Sequence, residues 1–223
     1  MKREIDLKEI SDGRFYSAND MVKIGCNDCQ GCSECCRMVG DTILLDPYDI
    51  YQLENALKIN FEELMAERIE LRVVDGLIQP HLKMRPDGLG CTFLSKEGRC
   101  TIHNSRPGFC RMFPMGRIYQ EDGFKYFLQV HECPYPNKTK IKLRKWLGIS
   151  SLERYEEYVR KWHGLTRQAA DIVENTENQE IVKKLNMYLL TMFYVNQYDG
   201  EADFYAQFYQ RLEQAEPVVA AYE

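Results

Sequence analysis

The spacing of apolar side chains changes twice along this chain. Residues 1–25 are a mostly polar lead-in, with one apolar stretch at Met21-Val22-Lys23-Ile24. Residues 26–36 are small and polar and read as loop or tight turns. Thr42-Ile43-Leu44-Leu45 has the make-up of a short strand. After it, Ile50, Leu53, Ala56 and Leu57 fall at helical spacing, and Asp46-Pro47 supplies a cap and a first-turn proline. A second helix is predicted from Asn60, with Glu63 completing a capping box, to about Val73, where Asp75-Gly76 ends it.

From 77 to 133 the pattern turns to short extended runs. Leu77 to Met84 reads as a strand. Cys91-Thr92-Phe93-Leu94 and Cys100-Thr101-Ile102-His103 flank Ser95-Lys96-Glu97-Gly98-Arg99 as hairpin arms. A second hairpin is predicted from Arg117-Ile118-Tyr119, through Glu121-Asp122-Gly123, to the run Phe124 to Val130. Beyond Pro136 the chain reads as helical to its end. Ser150 and Glu153 cap one helix, which runs to about Trp162; another spans about Asn178 to Tyr198, where Asp199-Gly200 breaks it. A last helix begins near Ala202, with Phe204, Phe208 and Leu212 four residues apart. The aromatic residues of this region, from Tyr188 to Tyr209, read as helix core rather than as a stacking platform. The fold class expected is α+β: a small cysteine-rich core with short β-hairpins, flanked by helices, and an all-helical C-terminal part. The segments are a lead-in (1–25), a cysteine-bearing domain (26–136) and a helical region packed on it (137–223).

Composition narrows the function. At 223 residues, 28% charged and 44% hydrophobic, the chain suits one well-packed domain, or one with an appendage. Its net charge of −5 disfavours nucleic acid as a partner. No apolar run is long enough to span a membrane, and the first ten residues lack the apolar core of a signal peptide, so the expected location is the cytoplasm. Stable disulfides are rare there, and nine cysteines is an odd number for a disulfide framework.

The cysteines are the dominant signal. Cys26, Cys29, Cys32, Cys35 and Cys36 lie within eleven residues as C-N-D-C-Q-G-C-S-E-C-C, and Cys91, Cys100, Cys110 and Cys133 follow. Packing has no use for five adjacent buried thiols, whereas zinc and iron–sulfur clusters both take four thiolates around a small centre. The C-x-x-C-x-x-C run can present three thiolates from successive tight turns, as bacterial ferredoxins do, and Cys133-Pro134 can supply a remote fourth. Nine thiols exceed one such centre; eight would fill two. The expected cofactor is therefore zinc or iron, with an iron–sulfur cluster as one form of the latter. Cys26 precedes the tightest part of the run and is the weakest candidate.

Cations gather nearby. Lys83, Arg85, Lys96, Arg99, Arg106, Arg111 and Arg117 face only Asp87 and Glu97 in that stretch, and Arg37 follows the cysteine pair. Cations beside thiolates lower thiol pKa and offset the anionic charge of a thiolate-bound metal. Arg106 and Arg111 could be read as an anion-binding pair; the plainer role is to hold the Cys110 loop and donate to sulfur. His103 and His131 lie near cysteines in sequence, but the thiols suffice without them. Phosphate-binding glycine loops and the hydrolase G-x-S-x-G are absent from the sequence.

Cys29-x-x-Cys32-x-x-Cys35-Cys36-Arg37 resembles the signature of the YkgJ-type cysteine-cluster family, a zinc- or iron-chelating domain. Leu45-Asp46-Pro47-Tyr48-Asp49-Ile50, Cys91-Thr92-Phe93-Leu94, Gly98-Arg99-Cys100-Thr101-Ile102 and Arg106-Pro107-Gly108-Phe109-Cys110-Arg111-Met112-Phe113-Pro114 are similar to its later parts, closed by Cys133. The resemblance spans about 26–136 and implies eight metal-binding cysteines: Cys29, Cys32, Cys35, Cys36, Cys91, Cys100, Cys110 and Cys133. Cys26 is extra. Flagellin lysine-N-methylases carry a similar core, which adds a protein-modifying enzyme acting on a protein substrate to the readings. A structural metal domain docking a protein partner through its C-terminal helices is the third.

Overall fold

A computed structural model describes residues 7–26, 32–38, 42–88, 90–121 and 123–222. In chain order its elements are helix α1 (Leu7–Ile10), strands β1 (Ser11–Tyr16) and β2 (Met21–Gly25), and helices α2 (Glu34–Met38), α3 (Pro47–Leu57) and α4 (Phe61–Glu67). Strands β3 (Ile69–Val74) and β4 (Leu77–Leu82), helix α5 (Gly108–Met112) and strands β5 (Met115–Gln120), β6 (Gly123–Gln129) and β7 (Thr139–Lys142) follow. Helices α6 (Leu143–Leu147), α7 (Leu152–Asn175), α8 (Gln179–Leu190) and α9 (Phe204–Ala220) complete the chain. The class is α+β, with short antiparallel hairpins and C-terminal helices, as the pattern predicts.

Several boundaries differ from expectation. The helix begun at Asn60 stops at Glu67, and 69–74 is a strand paired with 77–82 rather than more helix. Asp75 and Gly76 both hold positive φ, 51° and 78°, so the pair is the two-residue turn of a hairpin and not merely a helix stop. Strands β1 and β2 lie in the polar lead-in, and β7 lies in the stretch expected to be all helix. The 91–103 hairpin is reduced to a tight turn closed by one bridge, Leu94 to Cys100. Thr42–Leu45 likewise contributes only a bridge, Leu44 to His81. Helix α7 starts at Leu152 and runs well past Trp162.

Contacts gather the chain into two compact units. The first joins the described residues of Lys2–Ile43 with Met84–Tyr155. It holds an antiparallel sheet in the order β1-β6-β5 and a separate β2–β7 pair. On the sheet the Phe127 ring covers Gly116, which leaves no room for a side chain there. Arg117 lies between the rings of Phe124 and Tyr155, 5.3 and 5.5 Å from their centres, and donates to the Tyr155 hydroxyl at 3.0 Å.

The second unit joins Leu44–Lys83 with Glu156–Glu223. Asp46 and Asn60 cap α3 and α4 in full capping boxes, and Asp203 caps α9. Buried Asn186 ties α8 to the β3–β4 turn: its Oδ1 accepts from Ile78 N–H at 2.5 Å, and its Nδ2 donates to the Gly76 carbonyl at 3.1 Å. The core is aromatic. Phe208, fully buried, meets Tyr158 edge-on at 4.6 Å and is flanked by Phe193, Phe204 and Trp162. Arg211 lies 3.6 Å over the Tyr198 ring and donates to the carbonyls of Met192, Asn196 and Gln197, which closes the turn after α8.

One carboxyl in this core has a cost. Glu54 is 4% exposed and its Oε1 has no hydrogen-bond partner. Burial pushes its pKa up to about 7, against the Phe61 backbone N–H and the Arg211 charge, which pull it down. The folded protein therefore holds this proton to higher pH than the unfolded chain. Its contribution to stability is full below about pH 4.5 and is lost as pH rises through 7. Replacing Glu54 with Gln is expected to flatten that decline. Thermal melts at pH 5 and pH 8 check it: the wild type should melt lower at pH 8, and E54Q should show little difference.

Candidate metal centre

All described cysteines belong to the first unit, and none is in a disulfide. Cys29 lies outside the described residues. Cys35 and Cys36 sit on the short helix α2, with their sulfurs 4.0 Å apart. The Cys36 carbonyl accepts the Cys91 backbone N–H at 2.9 Å, which brings a loop from far along the chain onto the helix. Gly90 makes this approach feasible. Its φ is 135°, and a Cβ there would lie 3.0 Å from the Cys36 carbonyl and 3.1 Å from Leu94 Cδ2. Sequence reading missed Gly90, although a glycine directly before a candidate ligand was the available signal.

The next ligand candidates follow from tight local turns. Cys91 Sγ accepts the Phe93 N–H at 3.4 Å, and the Phe93 carbonyl takes both donors of Thr101, at 2.9 and 3.0 Å. Cys100 is bridged to Leu94. A 3-10 turn at His103–Ser105 then leads through Arg106-Pro107 to α5, which carries Cys110. The Trp146 indole N–H donates to the Phe113 carbonyl at 3.1 Å and anchors the end of that helix.

Electrostatics sort the thiols into two groups. Cys36 is pushed up by its hydrogen bond with Cys35, by burial, and by the charges of Cys35, Cys100 and Cys110. Cys35 takes the opposite shift, down to about 7, through the hydrogen bond from Cys36 and the charge of Arg106. Burial raises Cys91 and Cys100; Cys100 adds to the rise of Cys91, and Cys35 to that of Cys100. Cys35, Cys100 and Cys110 thus each act on Cys36, and Cys91 joins the group through Cys100. Cys133 belongs elsewhere: burial raises it, and the charges that add to the rise are those of Cys26 and Cys32. Crowded thiols resist ionising together, and a cation that accepts several thiolates removes that penalty. Among the described residues no three thiol, imidazole or carboxylate groups converge to ligating range; the thiols are neighbours rather than a closed shell.

The three arginines singled out earlier have different surroundings. Arg106 lowers the pKa of both Cys35 and Cys100, contacts the His103 ring, and keeps its Nε buried with no partner. A buried donor left over beside two thiols fits a thiolate acceptor. Arg111 donates to the Asn104 carbonyl, which holds the loop before α5. Arg37 is exposed and bonds Ser33 Oγ at 3.1 Å. Arg85 donates to the Leu94 carbonyl and also lowers Cys91. Lys138, which carried no sequence signal, donates to the Cys133 carbonyl at 2.6 Å. His131 is exposed.

The donor set thus fits a thiolate-bound zinc or iron. Among the described residues no helix is long and apolar enough to cross a membrane. No curated protein and no solved structure matches the chain, so the likeness to flagellin lysine-N-methylases rests on the cysteine motif alone. Residues 28–139, which contain every cysteine except Cys26, match the profile of the CxxCxxCC family, described as a "putative zinc- or iron-chelating domain", and the chain belongs to that family.

Proposed function

We propose that this protein binds zinc or iron through two thiol groups, and that metal binding is its defining activity. Cys35, Cys36, Cys91, Cys100 and Cys110 make the first group. Cys32 and Cys133, with Cys29 by its place in the motif, make the second. The observation that carries the reading is that thiols from two distant stretches, Cys35 on α2 and Cys100, share the charge of Arg106, whose buried Nε lacks an acceptor. Bound thiolates would satisfy that donor, and the metal would tie together loops that share few backbone hydrogen bonds. Arg106 faces thiols and Arg111 a backbone carbonyl, which favours a supporting role for the pair over capture of an outside anion.

Metal analysis and the visible spectrum of anaerobically purified protein test this. The expected result is zinc, or iron with or without sulfide, in whole-number ratio to the chain. Replacing Cys100 with Ser should remove about half of it. A colourless zinc protein identifies closed thiolate sites, and a brown sample with iron and sulfide identifies a cluster. Protein that carries neither metal, with all thiols reacting freely, would refute the proposal.

A further inference from the structure

We propose that the outer face and open edge of the β2–β7 ribbon dock an extended, acidic stretch of another protein, taken up as an added strand beside β7. Lys23 on β2 and Lys140 and Lys142 on β7 carry the site. The family match, residues 28–139, leaves all three outside, and none is a candidate metal ligand.

The two faces of the ribbon differ. Val22 and Ile24 are buried, and Ile141, opposite Val22, lies on their face. The other face carries Met21, Lys23, Lys140 and Lys142, all exposed. In the antiparallel register Lys23 stands directly opposite Lys140, and Met21 opposite Lys142. The Leu143 amide donates to the Asp20 carbonyl at 3.0 Å, one pair further along. Hydrogen-bonded pairs alternate along such a ladder, so Lys23 and Lys140 form a non-hydrogen-bonded pair, whose Cα atoms approach to about 4.5 Å. Like charges facing each other there destabilise the ribbon. Among the described residues none of the three lysines makes an ion pair, and the sequence has no carboxylate side chain between Glu132 and Glu153.

The same alternation turns the backbone amides and carbonyls of Lys140 and Lys142 away from β2, toward the outer edge of β7. Among the described residues β7 pairs with β2 alone, and no other backbone bond reaches those groups.

The ordinary reading is that edge lysines keep a strand from pairing with other chains. One lysine on β7 suffices for that. A second on the same edge, and a third set across from it at a cost to the ribbon, exceed what protection needs. An added strand uses every one of these features. Its backbone pairs with Lys140 and Lys142, and its side chains opposite them lie on the lysine face, roughly 7 Å apart. Carboxylates at alternate positions of the incoming chain therefore meet the ammonium groups, and Lys23 adds to the attraction. A lipid surface makes no use of the open edge and gains one apolar anchor, Met21, which is 51% exposed. Nucleic-acid bases find no ring to stack on, because this face of the two strands carries no aromatic side chain.

Fluorescence anisotropy with the full chain tests the site, using a labelled peptide of alternating glutamate and threonine. Single-stranded oligothymidylate and vesicles of phosphatidylserine and phosphatidylcholine are the comparison probes. The peptide should bind, and more weakly as salt rises. K140E/K142E, its fold checked by circular dichroism, should bind roughly tenfold more weakly. K23E sets opposite charges across the ribbon, so it should raise the melting temperature while weakening peptide binding. In the wild type, hydrogen exchange at the Lys140 and Lys142 amides should slow when peptide is bound, the mark of an added strand. Equal affinity of wild type and K140E/K142E overturns the proposal, as does a peptide that fails to bind or leaves exchange at those two amides unchanged. Tighter binding of the oligonucleotide or the vesicles than of the peptide overturns it too, by identifying a different anionic partner.

Discussion

Removing the metal with a chelator is expected to unfold residues 84–113 while the helices α7 to α9 keep their structure. The reason is how little else holds those loops. Among the described residues their backbone is secured by two isolated bridges, Met84 to Cys91 and Leu94 to Cys100, a 3-10 turn, a five-residue helix and single turn hydrogen bonds, with Cys91 N–H bonded to the Cys36 carbonyl. Their buried apolar side chains are few, chiefly Phe93, Leu94, Ile102 and Met112. Structural thiolate–zinc sites contribute on the order of 10–16 kcal/mol to folding, as large as the whole stability of a typical domain. Hydrogen exchange before and after chelation gives the readout. The amides of Cys91, Leu94 and Thr101, all hydrogen-bonded in the structure, should lose protection by several orders of magnitude. Amides in the middle of α9 should change little. Unchanged protection at Cys91, Leu94 and Thr101 would mean that these loops are held by packing alone.

Replacing Phe208 with Ala should do the reverse and strike the helical unit. Phe208 is completely buried and contacts rings from three stretches of the chain: Tyr158, Phe193 and its own helix neighbour Phe204. Truncation of such a ring costs about 3–5 kcal/mol, from lost burial and the cavity left behind. Chemical denaturation should show a lowered midpoint with metal content unchanged. Loss of metal in F208A would show that the two units do not keep their stabilities apart.

How much of this was legible from the residues depends on how each element is held. Caps and periodic faces are local, so Asp46-Pro47, Asn60 with Glu63, and Phe204, Phe208 and Leu212 located their helices well. The hairpin of β5 and β6 also announced itself, through its turn and its apolar run. The 69–74 strand was hidden because Ile-Glu-Leu-Arg-Val-Val alternates while Glu, Leu and Arg also favour helix; the Asp-Gly that follows serves either as a stop or as a hairpin turn. Strands β1 and β7 are exposed along most of their length, so no buried face marked them. In the site, cysteine identity was readable from spacing. Which thiols neighbour which was not, because contacts such as Gly90 against Cys36 set that over distances the sequence pattern does not encode.

The interleaving of the two units has a consequence for how the chain is made. Helices α3 and α4 and the β3–β4 hairpin leave the ribosome early, yet their packing partners lie in 156–223. At roughly 5–20 residues per second, the chain waits about 3–14 s after residue 155 has been added before those partners are complete. The cysteine-bearing unit has all its residues by then and can take up metal first. During that interval Leu53, Leu64 and Ile69, buried in the finished protein, belong to a unit that is still incomplete. The nascent chain is therefore most prone to aggregation after its metal half is made, and slow translation of the last third would lengthen the exposure.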